Sequence, residues 1–403
     1  METSGAVRAP WIHTVSGSTP IRAGETRMAI SDGVLAWKDG IVTYAGAAAN
    51  FTGTARQLDG CIVPGFVDCH THLPFFGWRA DEYEARLTGR TYRDLHGEGG
   101  IARSARMLDD ATDDEAIAFC LPLLTEMAVH GTTTVELKTG YGLSVEAELR
   151  QARLARRLAA QAPQTCTVTL LACHAVPAGM DRSEWVKVAC EELIPAAAGE
   201  GVVDAVDIYV EDIAFSLEDL QAVAAAAHAV GLPLRCHADQ LGESGAAEAA
   251  VAAGARSADH LNHVSPAGVE ALGTAETVAV LLPASTFMLG EQTPPVDAMR
   301  SAGATIAVST DFNPGTSPVL SMPEALAIGC ALYGLAPSEA LISATANPAW
   351  VLDLHHLLGS LEPGKRADFL VLDTPDFAQV PYRPGHNPVA QTWIGGARAG
   401  ATP

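Results

Sequence analysis

The chain is 403 residues long and carries 47 acidic against 25 basic side chains, a formal charge of −22; nucleic acid and anionic membranes are therefore poor partners, whereas a small substrate of either sign is not excluded. With 48% hydrophobic and 18% charged residues it can bury a large core and is not disordered, and no stretch approaches the roughly 18 consecutive apolar residues of a spanning helix. Eight scattered cysteines (61, 69, 120, 166, 173, 190, 236 and 330) without a C-x-x-C pair, and an opening METSGAVRAP with no basic-then-apolar leader, predict a cytoplasmic protein.

The first sixty residues read as small strands and tight turns, with short apolar segments at 34–37, 41–44 and 56–58 separated by Gly, Asp and Asn. Eight apolar strand-like runs follow, at 62–72, 132–140, 167–176, 203–212, 232–240, 257–262, 277–285 and 305–311. Ala-rich segments of helical composition alternate with them, among them 146–161, 217–230 and 242–253. Continuous apolar strands alternating with helices predict parallel strands buried on both faces, and eight such units predict an α/β fold, a (β/α)8 TIM-type barrel. The first connection, 73–111, is long and Gly-rich at 97–100, as expected of a segment that lines or covers a site. Thr112 and Glu115 fit a capping box for the next helix. Near the C-terminus, 367–372 and 389–394 resemble the opening strands. Neither flank can build a core alone, so 1–61 and 358–403 are expected to pair as one small β-sandwich domain beside a barrel of 62–357.

Barrel active sites lie at the C-terminal ends of the strands. The first run ends in Asp68-Cys69-His70-Thr71-His72, and strand alternation points His70 and His72 to one side and Cys69 to the other. The fifth ends in Arg235-Cys236-His237 and the eighth in Ser309-Thr310-Asp311. Three imidazoles and one carboxylate at strand ends suit one zinc or iron ion, against the bland reading of satisfied polar groups at a wet barrel end. A metal there activates water and polarises a carbonyl, with Asp311 placed to carry the proton. His174 and His260 end the third and sixth runs, either to polarise a carbonyl or bind substrate, or as structural hydrogen-bonders.

Three other motifs are set aside. Residues 97–102 satisfy G-x-G-x-x-A but fall in a loop, not between strand and helix. Residues 359–365 spell G-x-x-x-x-G-K, but Arg366 replaces the Ser or Thr of a phosphate loop. Lys138 ends the second run with no second ligand set apparent, which favours a mononuclear site.

Pro64-Gly-Phe-Val-Asp-Cys-His-Thr-His72 with Ser309-Thr-Asp311 resembles the amidohydrolase superfamily, metal-dependent hydrolases on a (β/α)8 barrel with a flanking β-sandwich. Gly359-Ser-Leu-Glu-Pro-Gly-Lys-Arg-Ala-Asp368 resembles the return of that superfamily's chain into the sandwich. More narrowly, Val135-Glu-Leu-Lys-Thr-Gly-Tyr-Gly142, Cys173-His-Ala-Val-Pro177, His237-Ala-Asp-Gln240, Ser257-Ala-Asp-His260 and Ser309-Thr-Asp-Phe-Asn-Pro-Gly-Thr-Ser-Pro318 resemble the imidazolonepropionase family. That resemblance implies hydrolysis of the ring C–N bond of 4-imidazolone-5-propanoate to N-formimidoyl-L-glutamate in histidine degradation, by a homodimer. It assigns His70, His72, His237 and Asp311 to the metal. It places Arg79, Tyr141, His174, Gln240 and Thr316 on the anionic substrate and Asn313 and Gly315 near the ring-opened product. Asp311, His260 and Gln240 form the implied catalytic set, with Asp311 carrying the proton and His260 polarising the carbonyl.

The chemistry agrees, since a propionate needs a cation and Arg79 offers a bidentate fork. Tyr141 either reaches the ligand or packs as an ordinary aromatic. Trp78, where a small polar residue is usual in that family, as well as Asn262 and Cys173, depart from the pattern. They leave open another small carboxylate-bearing cyclic amide as substrate. Gln240 stands where the superfamily's deaminases carry a proton-shuttling glutamate, and an amide moves no protons, which counts against a deaminase.

Overall fold

The computed structural model describes residues 3–17, 19–91, 94 and 99–399. The chain opens with β1 (Gly5–Ile12), β2 (Ile30–Lys38), β3 (Ile41–Ala47), β4 (Arg56–Gln57) and β5 (Ile62–Pro64). Then come β6 (Phe66–Asp68), β7 (Thr132–Lys138), β8 (Thr165–Cys173), β9 (Ala205–Val210), β10 (Leu234–Ala238), β11 (Ser257–His260), β12 (Val278–Leu281) and β13 (Ile306–Val308), with helices between successive strands. β14 (Phe369–Leu372), β15 (Val389–Ile394) and β16 (Ala397–Arg398) follow.

Strands β6 to β13 form one sheet in chain order, each parallel to its neighbours. β7 and β9 are buried at every position, because helices cover the outer face and side chains fill the inner one. The sheet closes where the chain leaves β6 and β13. The Asp311 N–H donates to His70 O at 3.0 Å and the His72 N–H to Phe312 O at 2.9 Å. Side chains extend this seam: Ser309 Oγ accepts the Cys69 N–H at 3.0 Å, and Asp68 Oδ2 accepts the Thr310 hydroxyl at 2.6 Å. The expected eight-unit barrel is therefore present, closed at its C-terminal end beside His70, His72 and Asp311.

The expected first run, 62–72, is two strands. Residues 62–64 pair with β1 and β14, and only β6 enters the barrel. Gly65 lies between them with its backbone pressed on Thr133, where a Cβ would sit 2.2 Å from Oγ1. This pairing hands 62–64 to the terminal sheet, three residues beyond the expected boundary.

That sheet runs β16-β15-β14-β5-β1-β2-β3, with β4 against β1. β14 lies antiparallel to both β5 and β15, so both ends of the chain share one sheet, as expected. Its core is separate from the barrel's and centres on Trp37 and Phe369, with Trp393 packed against them; the Phe369 and Trp393 rings stack at 5.2 Å.

The connection 73–111 is not a structureless loop. Its described residues include the helices α1 (Ala80–Leu87) and α2 (Gly100–Asp110), and α2 buries Ile101, Ser104, Ala105 and Leu108 at helical spacing. Gly97 and Glu98 of the discounted 97–102 motif lie outside the described residues, and Gly100 opens α2. Thr112 caps α3 (Asp113–Val129) in the predicted capping box with Glu115. Among the described residues, no helix is long and apolar enough to cross a membrane, and all eight cysteines are unpaired.

Candidate metal centre and substrate pocket

His70 and His72 leave β6 on the same side, His237 sits on β10, and Asp311 follows β13 at the seam. The His70 and His237 ring centroids are 4.4 Å apart. Asp311 Oδ1 lies 3.3 Å from His72 Nε2 and 3.5 Å from His70 Nε2. The far side of two of these rings is fixed by acids: His70 Nδ1–H donates to Asp259 Oδ2 at 2.6 Å, and His237 Nδ1–H faces Asp207 Oδ2 at 3.1 Å. Carboxylates on Nδ1 present Nε2 as a lone-pair donor, the arrangement typical of metal-binding histidines. His70 Nε2 and His237 Nε2 are buried without a hydrogen bond among the described residues. Orphaned nitrogens of this kind, converging with an acid on one point, fit a zinc or iron ion. Burial pushes His70 well below the ordinary histidine range and takes His260 down to about 3, so both rings are neutral. For Asp311 burial opposes ionisation, but the His72 hydrogen bond and the surrounding imidazoles outweigh it and keep the carboxylate ionised.

Above this centre is a small pocket open to solvent. Of the residues named from the sequence, His72, Arg79, Tyr141, His174, His237, Gln240, His260, Asp311, Asn313 and Thr316 line it. His70 lies beneath them, fully buried. Gly315 is not on the wall but behind Arg79, where a Cβ would meet Arg79 Nη2 at 1.8 Å. The Arg79 backbone N–H also donates to Pro314 O at 3.0 Å, and the guanidinium packs against Gly315 of this loop. Asn313 organises the same loop: Oδ1 accepts the N–H groups of Gly315 at 2.9 Å and Thr316 at 2.7 Å, and Nδ2 donates to Asp311 O at 2.7 Å. Arg79 is buried, yet its Nε and Nη1 have no hydrogen-bond partner among the described residues.

The Gly140-Tyr141-Gly142 turn is tied down by Glu148, which accepts the N–H groups of Gly140, Gly142 and Leu143 at 2.9, 2.7 and 3.0 Å. Both glycines are needed. Gly140 has φ +113° and packs on His174, and a Cβ on Gly142 would lie 2.3 Å from the Glu148 backbone nitrogen. Gly140 O accepts from His174 Nδ1 at 3.0 Å, which turns His174 Nε2 outward beside His72.

Asp207, Asp259, Tyr209 and Ile101 were not singled out from the sequence. Tyr209 and Ile101 line the cavity. Asp207 and Tyr209 share the inner face of β9 by alternation, the one signal available for them. Lys138 is an ammonium buried between Asp207 Oδ2 at 2.7 Å and Glu136 Oε2 at 2.8 Å, and Glu136 also pairs with Arg235. It therefore neutralises acids beneath the centre. Asp239 faces away, as alternation requires, and accepts the Ala246 and Ala247 N–H groups of the following helix. The departures fall outside the pocket. Trp78 packs on Phe75, Phe119 and Phe312, Asn262 bonds Thr286 and Gln292, and Cys173 is in the core.

The chain matches a family model described as the amidohydrolase family over residues 61–399. It is 44% identical over 348 residues to an imidazolonepropionase of Rhizorhabdus wittichii, covering 85% of this chain and 87% of that protein. An imidazolonepropionase of Shewanella sp. (strain ANA-3) is 40% identical over 365 residues, 90% of each chain. Among solved structures, E. coli guanine deaminase superimposes with a TM-score of 0.69 at 19% identity, over 98% of this chain and 99% of that one. A triazine hydrolase variant reaches 0.73 at 16% identity, over 98% and 94%. At such identities these two share the fold alone.

Proposed function

The chain belongs to the imidazolonepropionase family of amidohydrolases, and from that premise we infer that it hydrolyses 4-imidazolone-5-propanoate to N-formimidoyl-L-glutamate in histidine degradation. The observation that carries the reading is one cavity with two unlike sets of unpartnered polar groups: imidazole nitrogens beside a carboxylate on its floor, and guanidinium N–H groups on its wall.

His70, His72, His237 and Asp311 would hold one zinc or iron ion per chain. Such an ion supplies Lewis acidity, which activates water and polarises a carbonyl. Arg79, itself buried, takes the propionate through Nε and Nη1 in a charge-assisted contact. With that end fixed, the ring lies among Tyr141, His174 and Gln240, over His260. Neutral His260 donates an N–H to the ring carbonyl oxygen, where negative charge develops as water adds. Asp311 takes the proton shed by the water and hands it to the departing ring nitrogen. The carbonyl–nitrogen bond breaks, the carbonyl carbon becomes a carboxylate, and the nitrogen stays in the formimidoyl group. Thr316 borders the substrate, and Asn313 and Gly315, near the ring-opened product, also act through the loop that seats Arg79. Gln240 donates or accepts a hydrogen bond but exchanges no proton, which separates this chemistry from deamination.

We read 62–357 as the catalytic unit and 1–61 plus 358–403 as its companion domain, with 62–64 paired into the latter. A homodimer in the cytoplasm is the accompanying proposal, the unpaired cysteines supporting a reducing compartment. The test is turnover of freshly generated 4-imidazolone-5-propanoate, with elemental analysis of the same sample. Loss of the imidazolone absorbance with about one metal ion per chain, both abolished in His237→Ala, supports the reading. Metal without turnover, or preference for a hydantoin- or dihydropyrimidine-type ring, overturns it.

A further inference from the structure

We propose that Glu82 is a positioning residue, the resting counter-ion of Arg79, which limits how tightly the substrate carboxylate is held; the proposal rests on Arg79 being the carboxylate receptor. Arg79 is 3% exposed, and a guanidinium stays charged in proteins, so in the empty pocket it needs an anion nearby. Glu82, three residues further along and itself buried, places Oε2 at 3.8 Å from Arg79 Nη1. That distance balances charge without forming a hydrogen bond, which leaves Nε and Nη1 of Arg79 available for a ligand.

The other oxygen has a second task. Glu82 Oε1 accepts the Gly100 N–H, at the first residue of α2, at 3.0 Å. It also lies 3.7 Å from Arg103, whose guanidinium pairs with Asp81 at 2.7 Å. Ile101, next to Gly100, is part of the cavity wall. One buried carboxylate thus faces the receptor cation and anchors the wall beside it. An arriving propionate sets a second anion on the same guanidinium, and two carboxylates around one cation repel. Glu82 therefore weakens the hold on the substrate. It weakens the hold on the ring-opened product too, which keeps that carboxylate and gains another, and so it favours release.

Glu82→Gln keeps an acceptor for the Gly100 N–H and removes the charge. The KM for 4-imidazolone-5-propanoate and the inhibition constant of N-formimidoyl-L-glutamate should fall together, by about tenfold, without a rise in kcat. Glu82→Asp, with its charge one methylene further from Arg79, should lie between the parent and Glu82→Gln. A folded Glu82→Gln enzyme with parental KM and parental product inhibition overturns the proposal. Should that variant fail to fold, a parental KM in Glu82→Asp overturns it instead. Arg79→Gln separates the two levels. If its KM does not rise, the receptor reading falls and takes the proposal with it. If KM rises while Glu82→Gln stays parental, only the counter-ion falls.

Discussion

A histidine has two ring nitrogens, and in this pocket the one facing away decides what the other can do. His70 and His237 each back onto an acid from a neighbouring part of the barrel, Asp259 and Asp207. Lys138 in turn keeps Asp207 ionised against the penalty of burial, together with His237 itself. Replacing Asp259 by Asn leaves a partner that no longer fixes the tautomer. Metal affinity, measured by competition with a chelator, should fall about 10–100-fold while the fold is kept; parental affinity would show that Asp259 does not orient His70. The four proposed ligand residues could be picked out in the sequence because strand ends and alternation locate them without knowledge of neighbours. Asp207 and Asp259 were not, because their roles depend on which strands lie side by side and in what register. In β10, Arg235 stands opposite Asp207, and His237 opposite both Tyr209 and Asp259, a pairing that no single run of residues displays.

At the scale of elements, the segment after β13 behaves as one preformed cradle. Asn313 gathers the N–H groups of Gly315 and Thr316 on one oxygen, and the absence of a Cβ at Gly315 lets the Arg79 guanidinium lie across the backbone. Gly315→Ala should displace that guanidinium while leaving the barrel folded. The expected result is a KM raised about tenfold or more with a smaller change in kcat, since the lost interaction binds ground and transition states alike; an unchanged KM would show that Arg79 has no need of the cradle. The sequence marked this stretch as part of the site and assigned Gly315 to the product, but its packing beneath an arginine more than two hundred residues earlier is a tertiary fact. The connection 73–111 went the other way. Ile101, Ser104, Ala105 and Leu108 already had helical spacing, but the glycines just ahead of them read as loop.

Across the whole molecule, metal and fold are thermodynamically linked. The proposed ligands come from β10 and from both sides of the barrel seam, so the native chain binds the ion and the unfolded chain lacks the set. Metal-free protein should therefore melt at a lower temperature than loaded protein, and added zinc should restore the difference in a concentration-dependent way. At a thousandfold excess over the dissociation constant the stabilisation is about 4 kcal/mol. A melting temperature indifferent to metal would place the ion outside the folded-state ligand set. The alternation of runs and helices disclosed the barrel, and the texture of the two ends disclosed their shared sheet. The seam did not show, since its bonds join residues 240 apart in the chain.

That seam also carries a timetable. Asp68 and Thr310, which fasten it, are 242 residues apart, and the ligands on either side are nearly as distant. A growing polypeptide displays His70 and His72 early, but they remain an incomplete pair of donors until the last barrel strand has been made and has found the first. The proposed metal would thus be a late arrival in the life of each molecule, fully caged only once the ring of strands has shut, since a chain interrupted before β13 lacks Asp311 of the proposed ligand set.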